Sequence, residues 1–328
     1  LKPVVVVFAS IDWDFLFQRV QHVSQQFARA GYPVYYRNPS QIKGIAPQEI
    51  EKNLYVCKDF DLVDKSQWKN VIYVIYFPAF HQWVERKQNS LIIYDCADDF
   101  EEHDPHQEKM LKKSDIVFTS SIKLYENIKQ VHDNVYLVRN GVDFEHFDIQ
   151  RETPLDMLNA KKPVIGFSGS LNPRWVDLEL LDHLIRRNPQ WSFVFVGDKH
   201  NFSRSFENVF FLGMKKYDQL PKYVLNFDVG LIPFLDNRIS QSTNPVKMYE
   251  YLAAGKPVVA RALPETKAVK GLFLYSTESE AERAIRRAIT EGTGNREYYK
   301  KFAASNSWKQ RFDTMNEVIL NKIKGKGW

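Results

Sequence analysis

Short β-branched runs alternate with amphipathic segments twice along this chain, and a polar stretch without periodicity separates the two series. A run of four to six apolar residues followed by a helical repeat, many times over, describes parallel strands with crossover helices on both faces. In the first series the strands are predicted at 4–9, 33–36, 71–75, 91–94, 116–119 and 135–138, and Leu16, Val20, Val23 and Phe27 mark a helix that Gly31 ends. In the second they are predicted at 164–167, 192–196, 209–212, 229–233, 257–260 and 272–275, with helices near 177–187, 219–226 and 247–254. The predicted fold class is α/β, two doubly wound Rossmann-like domains in tandem, with ligand expected at the carboxyl ends of the strands.

The expected boundaries are 1–150 for the first domain, 151–162 for a linker and 163–305 for the second domain. The last segment, 306–328, carries Ser307-Trp308 and an amphipathic helix. A length of 328 residues suits two cores of ordinary size. Charge is divided unevenly, with 17 Lys and Arg against 21 Asp and Glu in residues 1–150 and 28 against 19 in residues 151–328. The second half is therefore the better host for an anionic ligand. No basic run with interleaved aromatics supports nucleic acid as a partner. The two cysteines, Cys57 and Cys96, form no zinc or disulfide spacing, which points to a reducing, cytoplasmic compartment. The apolar opening VVVVFA is too short to span a bilayer and reads as a buried strand. Any work at a membrane would be done from its surface.

The stretch Ser242 to Val259, STNPVKMYEYLAAGKPVV, holds the strongest local signal. A helix beginning near Pro245 presents unpaired N–H groups and a positive dipole end, which attract phosphate. Lys247 and Glu250, three apart, share a face, so one can neutralise a diphosphate while the other accepts hydrogen bonds from ribose hydroxyls. The same spacing also describes an ordinary surface ion pair. After strand 164–167 the turn Ser168-Gly169-Ser170-Leu171 allows close approach of backbone to a diphosphate, and Arg174 is either a further phosphate contact or a surface residue. Tyr217, after the strand at 209–212, is either a stacking platform or a packing residue.

In the first series, Asp95 and Asp98 within Tyr94-Asp95-Cys96-Ala97-Asp98-Asp99-Phe100 follow an apolar strand and are candidate general bases, Asp98 first. Capping of the following helix is the competing role. Arg19 and His22 lie on one helix face, where either would contact an anionic ligand or phosphate or, for Arg19, pair with a nearby acid. Asp12-Trp13-Asp14 is an acidic helix start more readily than a metal site. No dinucleotide fingerprint or P-loop is present.

The segment TNPVKMYEYLAAGKPVV resembles the donor-binding signature of bacterial GT-B glycosyltransferases that build cell-surface polysaccharides of the teichuronic-acid or capsular type. The resemblance extends in order through FASIDWDFLFQRVQHVSQQFARAGYPVYY, IIYDCADDF, SDIVFTSSIKLYE, VYLVRNGVDFEHF, VIGFSGSL and NVFFLGMKKYDQLP. It implies transfer of a sugar from a nucleoside diphosphate sugar to a glycan or lipid-linked acceptor, with no metal or other cofactor. Donor contacts are implied around Gly169, Ser242, Thr243, Asn244, Lys247 and Glu250, with acceptor contacts near Arg19 and His22. The final helix reads from its own pattern as packing on the second domain, while the resemblance implies that it packs back on the first. Relatives commonly carry two glutamates in the donor segment; Glu250 matches the second and Ser242 stands in place of the first. The Lys-x-x-Glu form also resembles xanthan-type glucuronosyltransferases, which invert, so inversion is the expected outcome. The rival readings are a nucleotide-sugar 2-epimerase of the same fold and a nucleotide-sugar-binding protein without catalysis.

Overall fold

The computed structural model describes residues 2–66, 68–200, 202 and 206–328. It divides into two compact units, one of Leu1–Asn140 with Trp308–Trp328 and one of Gly141–Ser307. In the first unit the strands are β1 (Val4–Phe8), β2 (Val34–Arg37), β3 (Gln48–Glu51), β4 (Leu54–Cys57), β5 (Val71–Ile75), β6 (Ser90–Cys96), β7 (Ile116–Thr119) and β8 (Val135–Leu137). They form one sheet in the order β3-β4-β2-β1-β5-β6-β7-β8. Every pairing is parallel except β3 with β4, an antiparallel edge hairpin with an irregular register between Glu49 and Glu51. That hairpin is a departure from the expected strands: Gln48–Glu51 is polar and largely exposed, so it lacks the apolar run that marks its neighbours.

The helices α1 (Arg19–Arg29), α2 (Asp104–Lys113) and α3 (Ile122–Lys129) follow in this unit. Helix α1 starts three residues later than Leu16 suggested. Residues before it are held as a loop, Asp12 Oδ1 accepting from the Ser40 amide at 3.0 Å and Asn38 Oδ1 from the Trp13 amide at 3.1 Å. The first turn closes where Gln21 Oε1 accepts from the Gln18 amide.

The second unit contains α4 (Phe144–Phe147), β9 (Val164–Ser168), α5 (Leu178–Arg187), β10 (Ser192–Val196), β11 (Val209–Phe211), α6 (Leu220–Val224), β12 (Val229–Ile232), α7 (Arg238–Gln241), α8 (Val246–Ala253), β13 (Val258–Arg261), α9 (Pro264–Lys267), β14 (Phe273–Tyr275), α10 (Glu278–Glu291) and α11 (Arg296–Ala304). Its six strands run in the order β11-β10-β9-β12-β13-β14, all parallel. The order reverses between β9 and β12, and such a switch point opens a crevice at the carboxyl edge. Two glycines in register across that junction, Gly166 and Gly230, let aromatic rings lie directly on the backbone. A Cβ at Gly166 would fall 2.2 Å from the Phe227 ring, and one at Gly230 would fall 2.3 Å from the Tyr251 ring. Tyr251 belongs to α8, so these glycines draw α8 onto the switch point.

The stretch 151–162 is not without structure. It carries a single 3-10 turn, Leu155–Met157, and belongs to the second unit, whose boundary with the first falls at Asn140 and Gly141. The last helix, α12 (Trp308–Gly325), is part of the first unit and packs on α1. Trp308 stacks on His22 at 4.7 Å between ring centroids, Phe312 meets Phe27 edge-on at 4.8 Å, and the Tyr32 hydroxyl donates to Asn316 at 2.9 Å.

Candidate functional site

At the carboxyl edge of the second sheet, three neighbouring strands end in glycine. Gly169 follows β9 with φ +137°, Gly197 follows β10 with φ +140°, and Gly213 lies just past β11 with φ +70°. Their backbones lock together, the Gly169 amide donating to Val196 at 2.8 Å and the Gly197 amide to Gly213 at 2.9 Å. A Cβ at Gly197 would sit 2.1 Å from the Gly169 carbonyl oxygen. Side chains are thereby excluded from this edge, which leaves it low and lined by backbone. Ser170 Oγ and Asp198 Oδ2 both approach one nitrogen of His200, Nε2, at 2.6 and 3.2 Å. A relay triad needs the acid on the other ring nitrogen, so this trio is not one.

Lys247, in the first turn of α8, lies across Gly169. A Cβ there would fall 2.3 Å from Lys247 Cε and 2.7 Å from its Nζ, which also sits 5.7 Å from the Phe167 ring centroid. Lys247 and Glu250 interact electrostatically along this face, as their three-residue spacing allows. Glu250, one turn on, is buried with 5% exposure, and its carboxyl accepts no hydrogen bond from the described residues. Burial pushes its pKa up to about 7, with Lys247 pulling the other way. Its oxygens are not among the buried polar atoms shut off from solvent, so vicinal hydroxyls of a ligand can reach them as donors.

Tyr217 stands beside this carboxyl. Burial first, then Glu250 and Asp143, hold its hydroxyl well above the ordinary value. Its ring stacks on His146 at 4.3 Å and 14°, and His146 Nε2 meets the Tyr217 carbonyl at 2.8 Å. Of its two expected roles, packing is the one the geometry displays. His146 was not singled out from sequence, because its place beneath Tyr217 depends on a contact across 71 residues.

The loop before α8 is internally braced. Ser242 is buried at the end of α7, with its amide donating to Ile239, and Thr243 Oγ1 donates to the same carbonyl at 2.7 Å. Asn244 Nδ2 donates to Glu265 Oε2 at 2.8 Å and to the Tyr249 hydroxyl at 3.2 Å, all inside the unit. Glu265, on α9 and 1% exposed, was missed from sequence because only the fold brings it under this loop. Arg174 is exposed; its amide donates to Asn172 and its carbonyl accepts from Asn237 at 2.7 Å.

In the first unit three of the expected site residues, Asp95, Arg19 and His22, are buried, and Arg19 takes the second of its two expected roles, pairing with an acid. Asp95, at the end of β6, is fully buried and bound to Arg19, whose Nε lies 3.0 Å from both carboxylate oxygens and whose Nη2 lies 2.9 Å from one. Arg19 Nη1 donates onward to the Val138 carbonyl at 2.9 Å and to Asn140 Oδ1 at 3.2 Å. Each of these charges is thus neutralised by the other, which removes Asp95 as an accessible base and Arg19 as a surface contact. His22 is likewise 3% exposed, held between Trp308 and Phe17, and does not line a surface where an acceptor would bind. Asp98 is different. It lies half-buried in the irregular stretch 97–100 beyond the carboxyl end of β6, where Cys96 Sγ donates to its carbonyl at 3.8 Å.

Among the described residues no three His, Cys, Asp or Glu side chains are placed to hold a metal ion, and no helix is long and apolar enough to cross a membrane.

Residues 162–291 match the family described as glycosyl transferases group 1. Over 180 residues the chain is 28% identical to TuaH of Bacillus subtilis (strain 168), described as a teichuronic acid biosynthesis glycosyltransferase, covering 51% of this chain and 45% of that one. The chain thus spans less than half the length of that relative. Among solved structures it is similar to sucrose-phosphate synthase from Thermosynechococcus elongatus, with a TM-score of 0.76 at 15% identity over 99% of this chain and 100% of that one. It is similar to WaaG, a glycosyltransferase of lipopolysaccharide biosynthesis, with a TM-score of 0.68 at 12% identity over 96% and 99%. Anabaena HepE in complex with UDP-glucose gives a TM-score of 0.67 at 13% identity over 97% and 99%. The fold is that of the GT-B glycosyltransferases.

Proposed function

We propose that this chain, whose second unit is a glycosyl transferases group 1 domain on the GT-B fold, moves a sugar from a nucleoside diphosphate sugar to a glycan or lipid-linked acceptor of a cell-surface polysaccharide. Support for the activity comes from the group 1 match and from the likeness to TuaH. A uridine donor is favoured because the similar HepE was solved with UDP-glucose.

In this reading the diphosphate lies over Gly169 against Lys247 and the amides at the start of α8, and the ribose hydroxyls donate to Glu250. The single observation that carries it is the pairing of a cation laid over a glycine edge with a buried carboxyl of raised pKa one turn away. Arg174, exposed beside the same edge, is assigned to an outer phosphate contact. Asp98 takes the proton from the acceptor hydroxyl as that oxygen bonds to the anomeric carbon. The bond from that carbon to the diphosphate breaks, and the leaving group carries its negative charge away. One displacement of this kind inverts the anomeric centre. Lys247 and the helix end meet the developing charge, so the reading assigns no metal or other cofactor. Arg19 and Asp95 are positioning residues that fix the end of β6 and hence the start of the loop carrying Asp98. The place of work is the cytoplasmic face of a membrane.

A panel of nucleoside diphosphates in thermal-protection assays tests the donor seat, since a ligand of the native state raises its stability with affinity. Turnover of the best donor is then followed with and without acceptor glycans. Protection by a uridine diphosphate and acceptor-dependent release of that diphosphate are expected. Conversion of the donor without any acceptor, or tight binding without turnover, would replace the reading with an epimerase or a binding protein.

A further inference from the structure

The 3-10 turn Leu155–Met157 presents apolar side chains to water from a firmly held backbone. Leu155 is 86% exposed and Leu158 is 63% exposed, while Met157 between them is buried in the unit's core. Residues three apart in a 3-10 turn lie one above the other, so the two leucines share one side of it. The segment has no slack with which to hide them. Asp156 Oδ2 accepts from Lys215 at 2.8 Å and from the Tyr223 hydroxyl at 3.2 Å. Asn226 donates to the Glu152 carbonyl at 2.6 Å, and its own oxygen accepts from Arg151 at 2.9 Å and Thr153 at 3.0 Å. Paired exposed leucines on a braced turn mark a contact surface more than scattered ones do.

Positive charge surrounds that turn. Glu152, Asp156 and Asp228 each hold one lysine, Lys222 at 2.6 Å, Lys215 at 2.8 Å and Lys162 at 3.0 Å. Beyond those pairs, Arg151, Lys161, Lys256 and Arg296 have no ion-pair partner among the described residues. They also crowd one another. Burial first, then Arg151, pushes the Lys256 ammonium down to about 8, with Arg296 and Lys162 adding to the effect and Asp228 opposing it. An apolar pair rimmed by uncompensated cations matches an anionic bilayer, where leucines enter the acyl boundary and Lys and Arg meet the headgroups. A second copy of the chain fits less well, because a two-fold contact would set the same positive field against itself.

We infer that Leu155 and Leu158 dock this chain on an anionic lipid surface, with the exposed Arg151 and Lys161 facing the headgroups. The inference does not depend on the transferase reading, since a chain that bound no nucleotide would still dock. With only two leucines entering, binding is reversible and weakens as salt rises.

The test is co-sedimentation of the full chain with phosphatidylcholine vesicles, with and without phosphatidylglycerol. The parent is expected to bind the vesicles containing phosphatidylglycerol, and Leu155→Glu with Leu158→Glu to bind them about tenfold less or weaker still. Thermal stability should be unchanged, because both side chains are exposed. Equal binding by parent and double variant, or no preference of the parent for the anionic vesicles, overturns the inference. So does a parent dimer that the double variant breaks while vesicle binding persists. Leu158→Cys carrying an environment-sensitive dye gives a second measurement, selective because Cys57 and Cys96 are buried. A blue shift on anionic vesicles is expected, and an unmoved spectrum counts against the proposed docking.

Discussion

Glu250 links the stability of the second unit to its ligand. Folding raises its carboxyl from 4.5 to about 7, so between those values the folded chain holds a proton that the unfolded chain has released. Stability therefore falls as pH rises through that window, by up to about 3 kcal/mol, and stays low above it. Glu250→Gln removes this loss. The variant is expected to be more stable than the parent well above pH 7 by about 1–3 kcal/mol, read from denaturant melts across pH, while its nucleotide affinity drops about tenfold or more. A variant that kept full affinity would remove the ribose role. Gly169→Ala meets two obstacles, a φ of +137° and the Lys247 side chain. It should cost about 1–3 kcal/mol and weaken nucleotide binding together, checked by melting and calorimetry on one preparation. Asp98→Asn, by contrast, should cut turnover by about 100-fold or more with nucleotide affinity nearly intact. The face shared by Lys247 and Glu250 was legible in the sequence, because three-residue spacing on a helix is local. The burial of Glu250 was not, since Tyr217 reaches it from a different part of the chain.

At the scale of elements, the pairing of α1 with α12 governs the first unit. Trp308 is 2% exposed and lies flat on His22, so Trp308→Ala should cost about 3–5 kcal/mol in a denaturant titration. Arg19→Ala leaves Asp95 charged in a dry site, and a loss of about 3–5 kcal/mol is expected from the same titration. An Arg19→Ala, Asp95→Asn double variant should recover part of it; no recovery would mean that the ion pair is not what the buried arginine serves. Most strands were legible, as at β5, β7 and β10, because their β-branched or aromatic runs are bounded by polar turns. Strand β3 was missed for the opposite reason, a polar edge segment with no apolar signature, whereas β4, Leu54–Cys57, does carry a short apolar run and was passed over between polar neighbours. The union of Arg19 with Asp95 could only be posed as one option, since the two stand 76 positions apart in sequence.

Along the whole chain residues 1–150 are acidic and 151–328 basic. Yet with the last helix returned to the first unit the two units hold nearly equal charge, 22 Lys and Arg against 20 Asp and Glu in the first and 23 against 20 in the second. What matters is therefore local charge: the proposed donor seat and the leucine turn each rely on exposed or ligand-facing cations, so raising salt should weaken nucleotide binding and vesicle binding alike, whereas the stability of the buried Arg19–Asp95 core should change little. Melting and binding titrations over one salt series check this. The first unit is also discontinuous, with α1 near residue 20 and its partner α12 beginning at Trp308. On a ribosome that interval of about 280 residues takes roughly 15–60 s at ordinary elongation rates. Throughout it the side of α1 formed by His22 and Phe27 has no helix to cover it, and the whole second unit is made in the meantime. The order of completion is therefore the reverse of the order of synthesis: the unit begun first is the one finished last.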